Sequence, residues 1–176
     1  LVRGRARLTS PTTLTIRSQR GGIREVGAKT IVLATGSRPR TPAEVTVDHE
    51  HVLDSDSILS MHYLPKTLAV LGSGVIACEY ASIFSELGVA VTIIDKAPTP
   101  LGFLEPELVQ PFAAGIVRGG GQLLLRRSAR SVAFDGIDTV RIVLDDGSEV
   151  GAEKVLCALG RVANVEGLGL DSAGVT

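Results

Sequence analysis

Six consecutive residues near the middle of the chain, Gly72-Ser73-Gly74-Val75-Ile76-Ala77, have the types and spacing needed to hold a pyrophosphate against backbone amides. Gly72 permits a tight strand-to-helix turn, and Gly74 lets the backbone approach a phosphate with no Cβ in the way. Ala77 is small enough for the following helix to pack closely on the preceding strand. The phosphates would meet the positive end of a helix beginning near Gly74, with the Ser73 amide among the donors. Asp95 lies 23 residues after Gly72, where a carboxylate accepts hydrogen bonds from an adenosine ribose. A carboxylate there favours the free 2′-hydroxyl of NAD, because it repels the 2′-phosphate of NADP. Lys96 follows directly and can neutralise such a phosphate, so NAD leads and NADP stays open.

The elements around the motif have the order this chemistry requires. Thr67 to Leu71 is an apolar run that reads as a buried strand. Val75 to Leu87 has helical periodicity, with Ile76, Tyr80, Ile83, Phe84 and Leu87 on one face and Glu79, Ser82 and Glu86 on another. Gly88 stands where a helix-ending glycine belongs, and Val89 to Ile94 is a second apolar strand. Glu105 to Val117 reads as a second helix, stopped by Gly119-Gly120-Gly121, and Gln122 to Leu125 as a third strand. Beyond it, Ser131 to Phe134, Val140 to Leu144, Glu149-Val150 and Lys154 to Leu159 are separated by the turn pairs Asp135-Gly136 and Asp146-Gly147. The expected fold class is α/β. It is a Rossmann-like parallel sheet with a β-meander, in three layers β/β/α.

The first third of the chain is of a different kind. Arg3 to Thr9 and Thr13 to Ser18 alternate in the strand period, and Lys29 to Thr35 predicts a buried strand ended by Gly36. Pro39 and Pro42 punctuate a connection that runs to about Pro65, with a short helix expected near Asp56 to Met61.

Composition narrows the partners. The net charge is -1, with no long basic run, which argues against nucleic acid and anionic membrane surfaces. No run of eighteen apolar residues spells a membrane span, and a reducing cytoplasm is the expected location. Cys78 and Cys157 are far apart, without CxxC or metal-ligand spacing, and read as small buried hydrophobes. His49, His51 and His62 read as solvated loop histidines, and no metal site is expected.

Two further motifs flank the glycine turn. Ala34-Thr35-Gly36-Ser37-Arg38-Pro39 and Ala158-Leu159-Gly160-Arg161, the latter with Asn164 and Leu168-Gly169-Leu170, together resemble the class I pyridine nucleotide–disulfide oxidoreductase flavoproteins. In that family the first segment leaves the FAD domain and the second returns to it. The family usually has proline at the position of Ala163. Within the family, Asp54-Ser55-Asp56-Ser57-Ile58-Leu59, Cys78-Glu79-Tyr80-Ala81-Ser82-Ile83-Phe84 and Phe103-Leu104-Glu105 look most like the soluble pyridine nucleotide transhydrogenases.

The resemblance implies an organisation. Residues 1–38 would be the end of a first FAD-domain segment flanking the nucleotide fold, residues 39–64 a connection, residues 65–160 the NAD(P)-binding domain, and residues 161–176 the start of the return to the FAD domain. It also implies a fragment of a longer, homo-oligomeric FAD-dependent oxidoreductase, inactive alone, that passes hydride between nicotinamide nucleotides through FAD. Glu79 would lie beside the nicotinamide and orient its carboxamide; otherwise it is a glutamate on the polar helix face. Val75 and Ile76 would pack toward the nicotinamide, and Gly160 would contact the nucleotide through its backbone. Thr35, Gly36 and Arg161 would reach FAD, unless Arg161 is a surface ion pair. The alternatives are the corresponding domain of dihydrolipoamide dehydrogenase or of a glutathione or mercuric reductase, and a non-catalytic nucleotide-sensing module.

Overall fold

The structure is a computed structural model that describes residues 1–175. The expected return segment ends at Thr176, which lies outside the described residues. The chain divides into two compact units, one built from residues 1–38 and 162 onward, the other from Pro39–Arg161.

The first unit holds an antiparallel three-stranded sheet, β1 (Arg5–Ser10), β2 (Thr13–Arg17) and β3 (Ile23–Gly27), in that spatial order. Leu8 is the one buried apolar side chain among its described residues. Strand β3 had no counterpart in the sequence expectations; its five residues are nearly all exposed, so no apolar run marks it. The expected buried strand over Lys29 to Thr35 does not form. That stretch carries no regular structure, and Val32 and Leu33 are 82% and 44% exposed. A strand needs a hydrogen-bonded neighbour, and no described strand runs beside this one. The short β4 (Ser37–Pro39) follows it.

The second unit is the α/β fold. Its elements are β5 (Val52–Asp54), a 3₁₀ turn at Ile58–Ser60, β6 (Thr67–Leu71), α1 (Val75–Glu86), β7 (Ala90–Asp95), α2 (Pro106–Arg118) and β8 (Gln122–Leu125). A meander of β9 (Ala129–Phe134), β10 (Val140–Leu144) and β11 (Glu149–Ala152) leads to β12 (Lys154–Cys157). The chain then leaves through β13 (Arg161–Ala163), which pairs with β4. Five strands form one parallel sheet in the order β5-β12-β6-β7-β8. The stretch expected as a plain connection therefore supplies an edge strand, β5.

Alternation along these strands separates two cores. Ala69, Leu71, Ile94, Val155 and Cys157 face the meander, where Val140, Ile142 and Leu144 meet them. Leu68, Val70, Val91, Ile93 and Leu156 face the helices, where Ala77, Ala81, Phe84 and Ile116 meet them. The result is a meander, a parallel sheet and a helical layer, with the sheet apolar on both faces as parallel sheets require.

Helix α1 corrects one expectation. Its buried stripe is Ala77, Cys78, Ala81 and Phe84, while Ile83 is 53% and Leu87 57% exposed. Small side chains let the helix axis approach the sheet, and that close approach outweighs burying the larger residues elsewhere on the helix. Its end is as expected. Gly88 has φ 84°, and the Val89 amide reaches back to the Phe84 carbonyl at 3.0 Å.

Two substitutions separate the stripes. Ala81→Leu, at 0% exposure, is expected to cost about 1–3 kcal/mol in urea unfolding through overpacking. Ile83→Ala is expected to stay within about 0.5 kcal/mol of the parent.

Candidate functional site

The carboxyl ends of the five parallel strands share one edge, and each ends in a piece of the candidate site. Gly72 follows β6 with φ 107°, and a Cβ built on it would stand 2.5 Å from the Ala158 carbonyl oxygen. Glycine is therefore required there by the fold itself. Gly74 differs. Its φ is an ordinary −76°, and no protein atom lies within 4 Å of where its Cβ would be. Nothing beyond its chain neighbours excludes a side chain at Gly74, and the space beside it is open.

Ser73 is buried, and its carbonyl accepts the Leu101 amide at 2.9 Å and the Cys78 thiol at 3.3 Å. The loop after β7 thus fixes the glycine turn from above. Burial, followed by the nearby Asp95 charge, pushes the Cys78 thiol up to about 11. Burial likewise raises Cys157. Both cysteines are buried free thiols, without the depressed pKa that makes a thiol reactive. Gly74 caps α1 without a side-chain hydrogen bond, and no acidic residue stands in the first turn.

Three cavities run along this edge and share walls. The middle one, of about 430 Å³, is lined by Gly72, Ser73, Gly74, Val75, Ile76, Gly160 and Arg161. It shares Asp95 and Leu159 with a cavity of about 320 Å³ bounded by Arg40, Lys96, Arg127 and Ala129. On its other side it shares Ser55, Ile76 and Arg161 with a cavity of about 460 Å³ that contains Glu79, Tyr80 and Ile83. A larger space of about 600 Å³ reaches the starts of the strands at Thr67, Ala90 and Gln122. Ligands of open parallel sheets bind at the carboxyl ends, so the three-part trough is the candidate.

The sequence-derived residues fall along it. Asp95 sits on the wall between two cavities, its Oδ1 accepting the Ala97 amide at 2.6 Å. Lys96 is exposed beside it. Val75 is half exposed at the mouth. Gly160 has φ 102°, accepts the Arg40 amide at 2.9 Å and has open space around it. Glu79 is exposed on the wall that holds Arg161. Arg161 donates to Ser55 Oγ at 2.9 Å and pairs with Asp56 at 3.3 Å.

The Asp54-to-Leu59 segment explains that pairing. Asp54 Oδ1 accepts the amides of Asp56 and Ser57 and the Ser57 hydroxyl at 2.9–3.0 Å, which folds the turn that presents Ser55 and Asp56. Burial raises the Asp54 pKa, but the Ser57 hydroxyl, the two amides and His49 outweigh it and hold the carboxyl below its usual value.

The other two segments meet in the first unit. Asn164 donates its side-chain amide to the Thr35 carbonyl at 3.1 Å and its backbone amide to the Gly36 carbonyl at 3.0 Å. Gly36 has φ 72°, and both Thr35 and Gly36 are exposed. Arg38 bonds Asn164 and pairs with Glu166 at 2.6 Å.

Sequence reasoning missed Arg127, Arg40 and Lys154. Lys154 is buried, donating to the Glu50 carbonyl at 2.8 Å with its ammonium 4.8 Å from the Tyr63 ring centroid. A lysine at the head of an apolar run was the available signal. His51 also departs from the solvated-loop expectation: it stacks on Phe134 at 3.6 Å between ring centroids, because the β5 loop packs over the meander. Among the described residues no cluster of His, Cys, Asp or Glu is placed to hold a metal, and no helix is long and apolar enough to cross a membrane.

The family model described as pyridine nucleotide-disulphide oxidoreductase matches residues 2–176. The soluble pyridine nucleotide transhydrogenase of Chromohalobacter salexigens is 38% identical over 98% of the chain, and that of Pseudomonas putida 37% over 93%. The chain spans about 37% and 35% of the length of these relatives. Among solved structures, LpdA from Mycobacterium tuberculosis superposes with a TM-score of 0.88 at 27% identity, covering 99% of this chain and 39% of that one. The HOCl-induced flavoprotein disulfide reductase RclA from Escherichia coli has a TM-score of 0.82 at 23% identity, covering 99% and 39%, a likeness of fold.

The two glycines should part in a melting experiment. Gly72→Ala is expected to destabilise by about 2 kcal/mol or more through strain at positive φ and the clash with Ala158, and Gly74→Ala by less than about 1 kcal/mol. Asp54→Ala is expected to cost about 1–3 kcal/mol at neutral pH. Because the folded pKa is depressed, this contribution is complete above the unfolded carboxyl pKa of about 3.9. The gap between parent and variant should therefore close as pH falls through the lower folded value, measured by urea unfolding across pH.

Proposed function

The chain belongs to the pyridine nucleotide-disulphide oxidoreductase family, and on that premise we propose that its second unit binds a nicotinamide nucleotide along the three-part trough. The observation that carries this reading is Gly74, a glycine that neither its backbone angles nor its protein neighbours require, at the start of a helix that no side chain caps. The pyrophosphate lies in the middle cavity against the amides from Ser73 to Ile76. The adenosine ribose meets Asp95, whose position on the shared wall suits a group passing from one cavity to the next. The nicotinamide half extends past Ile76 to Glu79, which orients the carboxamide. Gly160 contacts the nucleotide through its backbone, and Val75 lines the approach.

The wider activity is hydride transfer between nicotinamide nucleotides through FAD, in the cytoplasm, as part of a homo-oligomer. The support is the set of transhydrogenase relatives across nearly the whole chain. FAD supplies the two-electron carrier chemistry when bound. Thr35 and Gly36, exposed and with Asn164 on their carbonyls, fit a backbone segment that lies along that cofactor. Arg161 fits a role at its edge once Ser55 and Asp56 have oriented it. The corresponding domain of a disulfide reductase is the alternative reading, and in either case Cys78 and Cys157, buried free thiols with raised pKa values, are packing residues of this chain.

Three measurements test the proposal. Calorimetric titration should detect NAD binding, and Gly74→Ala should weaken it about tenfold or more while leaving the melting temperature nearly unchanged. Asp95→Ala should weaken NAD more than NADP; equal losses would remove the ribose assignment. In flavin-loaded protein, Glu79→Ala should slow flavin reduction about tenfold with nucleotide affinity changed less than about threefold. An unchanged rate would return Glu79 to the solvated helix face.

A further inference from the structure

The cavity beyond Asp95 carries more positive charge than an adenosine needs. Its walls bear Arg40, Lys96 and Arg127 against Asp95 and Glu44. Arg127 is held at both ends. Its amide donates to the Asp95 carbonyl at 2.9 Å, which ties its backbone to the residue assigned to the ribose. Its guanidinium is turned to the meander, where Nε meets the Asp146 carboxylate at 2.8 Å and Nη1 donates to the Arg126 carbonyl at 3.3 Å.

Asp146 is the fixed member of this pair. Its Oδ1 accepts the Ser148 hydroxyl at 2.6 Å and the Ser148 amide at 3.0 Å. Those bonds, the hydroxyl first, hold its carboxyl below the usual range, so it is ionised at neutral pH. The pair is partly exposed, 43% and 37%, and an ion pair in such a setting exchanges partners at little cost. A phosphate dianion offers a guanidinium more charge and a bidentate face.

Resting on the nucleotide site assigned above, we propose that Arg127 and Asp146 form an exchangeable pair that sets tolerance of a 2′-phosphate. With NAD bound, Asp95 takes the ribose hydroxyls and Arg127 remains on Asp146. With NADP bound, Arg127 leaves Asp146 for the 2′-phosphate and offsets its repulsion by Asp95. Asp146 is then a positioning residue that restrains NADP affinity without touching the nucleotide.

NAD and NADP differ only by that phosphate, so paired calorimetric titrations isolate it. Arg127→Ala should weaken NADP about tenfold and leave NAD within about twofold. Asp146→Asn, which keeps an acceptor for Ser148, should strengthen NADP about three- to tenfold with NAD unchanged. The double variant should show no gain from Asp146→Asn, since the gain acts through Arg127. Equal effects on both nucleotides, no effect on NADP, or a gain that survives loss of Arg127 would each overturn the exchange. If the unaltered protein binds neither nucleotide, the site assignment fails and the exchange falls with it. If NAD binds and Asp95→Ala selectively weakens it while the Arg127 and Asp146 variants are silent, only the exchange fails.

Discussion

Everything at the site depends on β12 and β6 running side by side and ending together. That pairing brings the Ala158 carbonyl against Gly72, so the chain must turn there without a side chain. The turn sets where α1 begins, and the small residues Ala77 and Ala81 let it settle against the sheet. From this central pair the sheet spreads to β5 on one side and to β7 and β8 on the other. Because every strand points the same way, five separate pieces of sequence arrive at one edge. Asp54 comes from β5, Gly160 from β12, the glycine turn from β6, Asp95 from β7 and Arg127 from β8. Reversing any one strand would send its contribution to the opposite edge, some 15 Å away by the rise of a strand of five residues.

The parts legible in the sequence are those governed by short-range rules. Strand β6 and helix α1 end at Gly72 and Gly88, glycines whose positive φ is written in residue type, and the core strands carry apolar runs too dense for a surface. Asp135-Gly136 and Asp146-Gly147 mark the meander turns for the same reason, with φ 86° and 84° at their glycines. What was illegible depends on partners distant in sequence. The run from Lys29 to Thr35 has the composition of a buried strand, yet burial is a property of its neighbours, and Val32 stands 82% exposed. Helix α1 was misphased because size and burial usually go together, whereas here distance to the sheet selected alanine over isoleucine. Arg127 looked like one arginine among many. Its meaning comes from Asp95 and Asp146, 32 and 19 residues away.

Electrostatics at the site follow the same division between fold and ligand. Asp54 and Asp146 each spend one carboxylate oxygen on local amides and hydroxyls, which holds a turn, and turn the other side of the group toward a base. Both are thereby kept ionised as well as fixed in place. Asp95 has the same local habit, accepting the Ala97 amide. Three acids at the ends of three strands or hairpins thus act first as structural acceptors; Asp54 turns its other oxygen toward His49 and Asp146 toward Arg127, while Asp95 lines the trough.

The second unit begins and ends at one place, because the Arg40 amide is bonded to the Gly160 carbonyl. Some 120 residues are therefore a closed excursion whose two ends are already joined by the fold. A loop of that kind can be lifted from one host and set into another with little disturbance of either, since the host needs to supply only two adjacent attachment points. It can also be given new ends elsewhere on its surface, with a short linker across Arg40 and Gly160. The second unit is in this sense a cartridge, already closed on itself where its two ends meet.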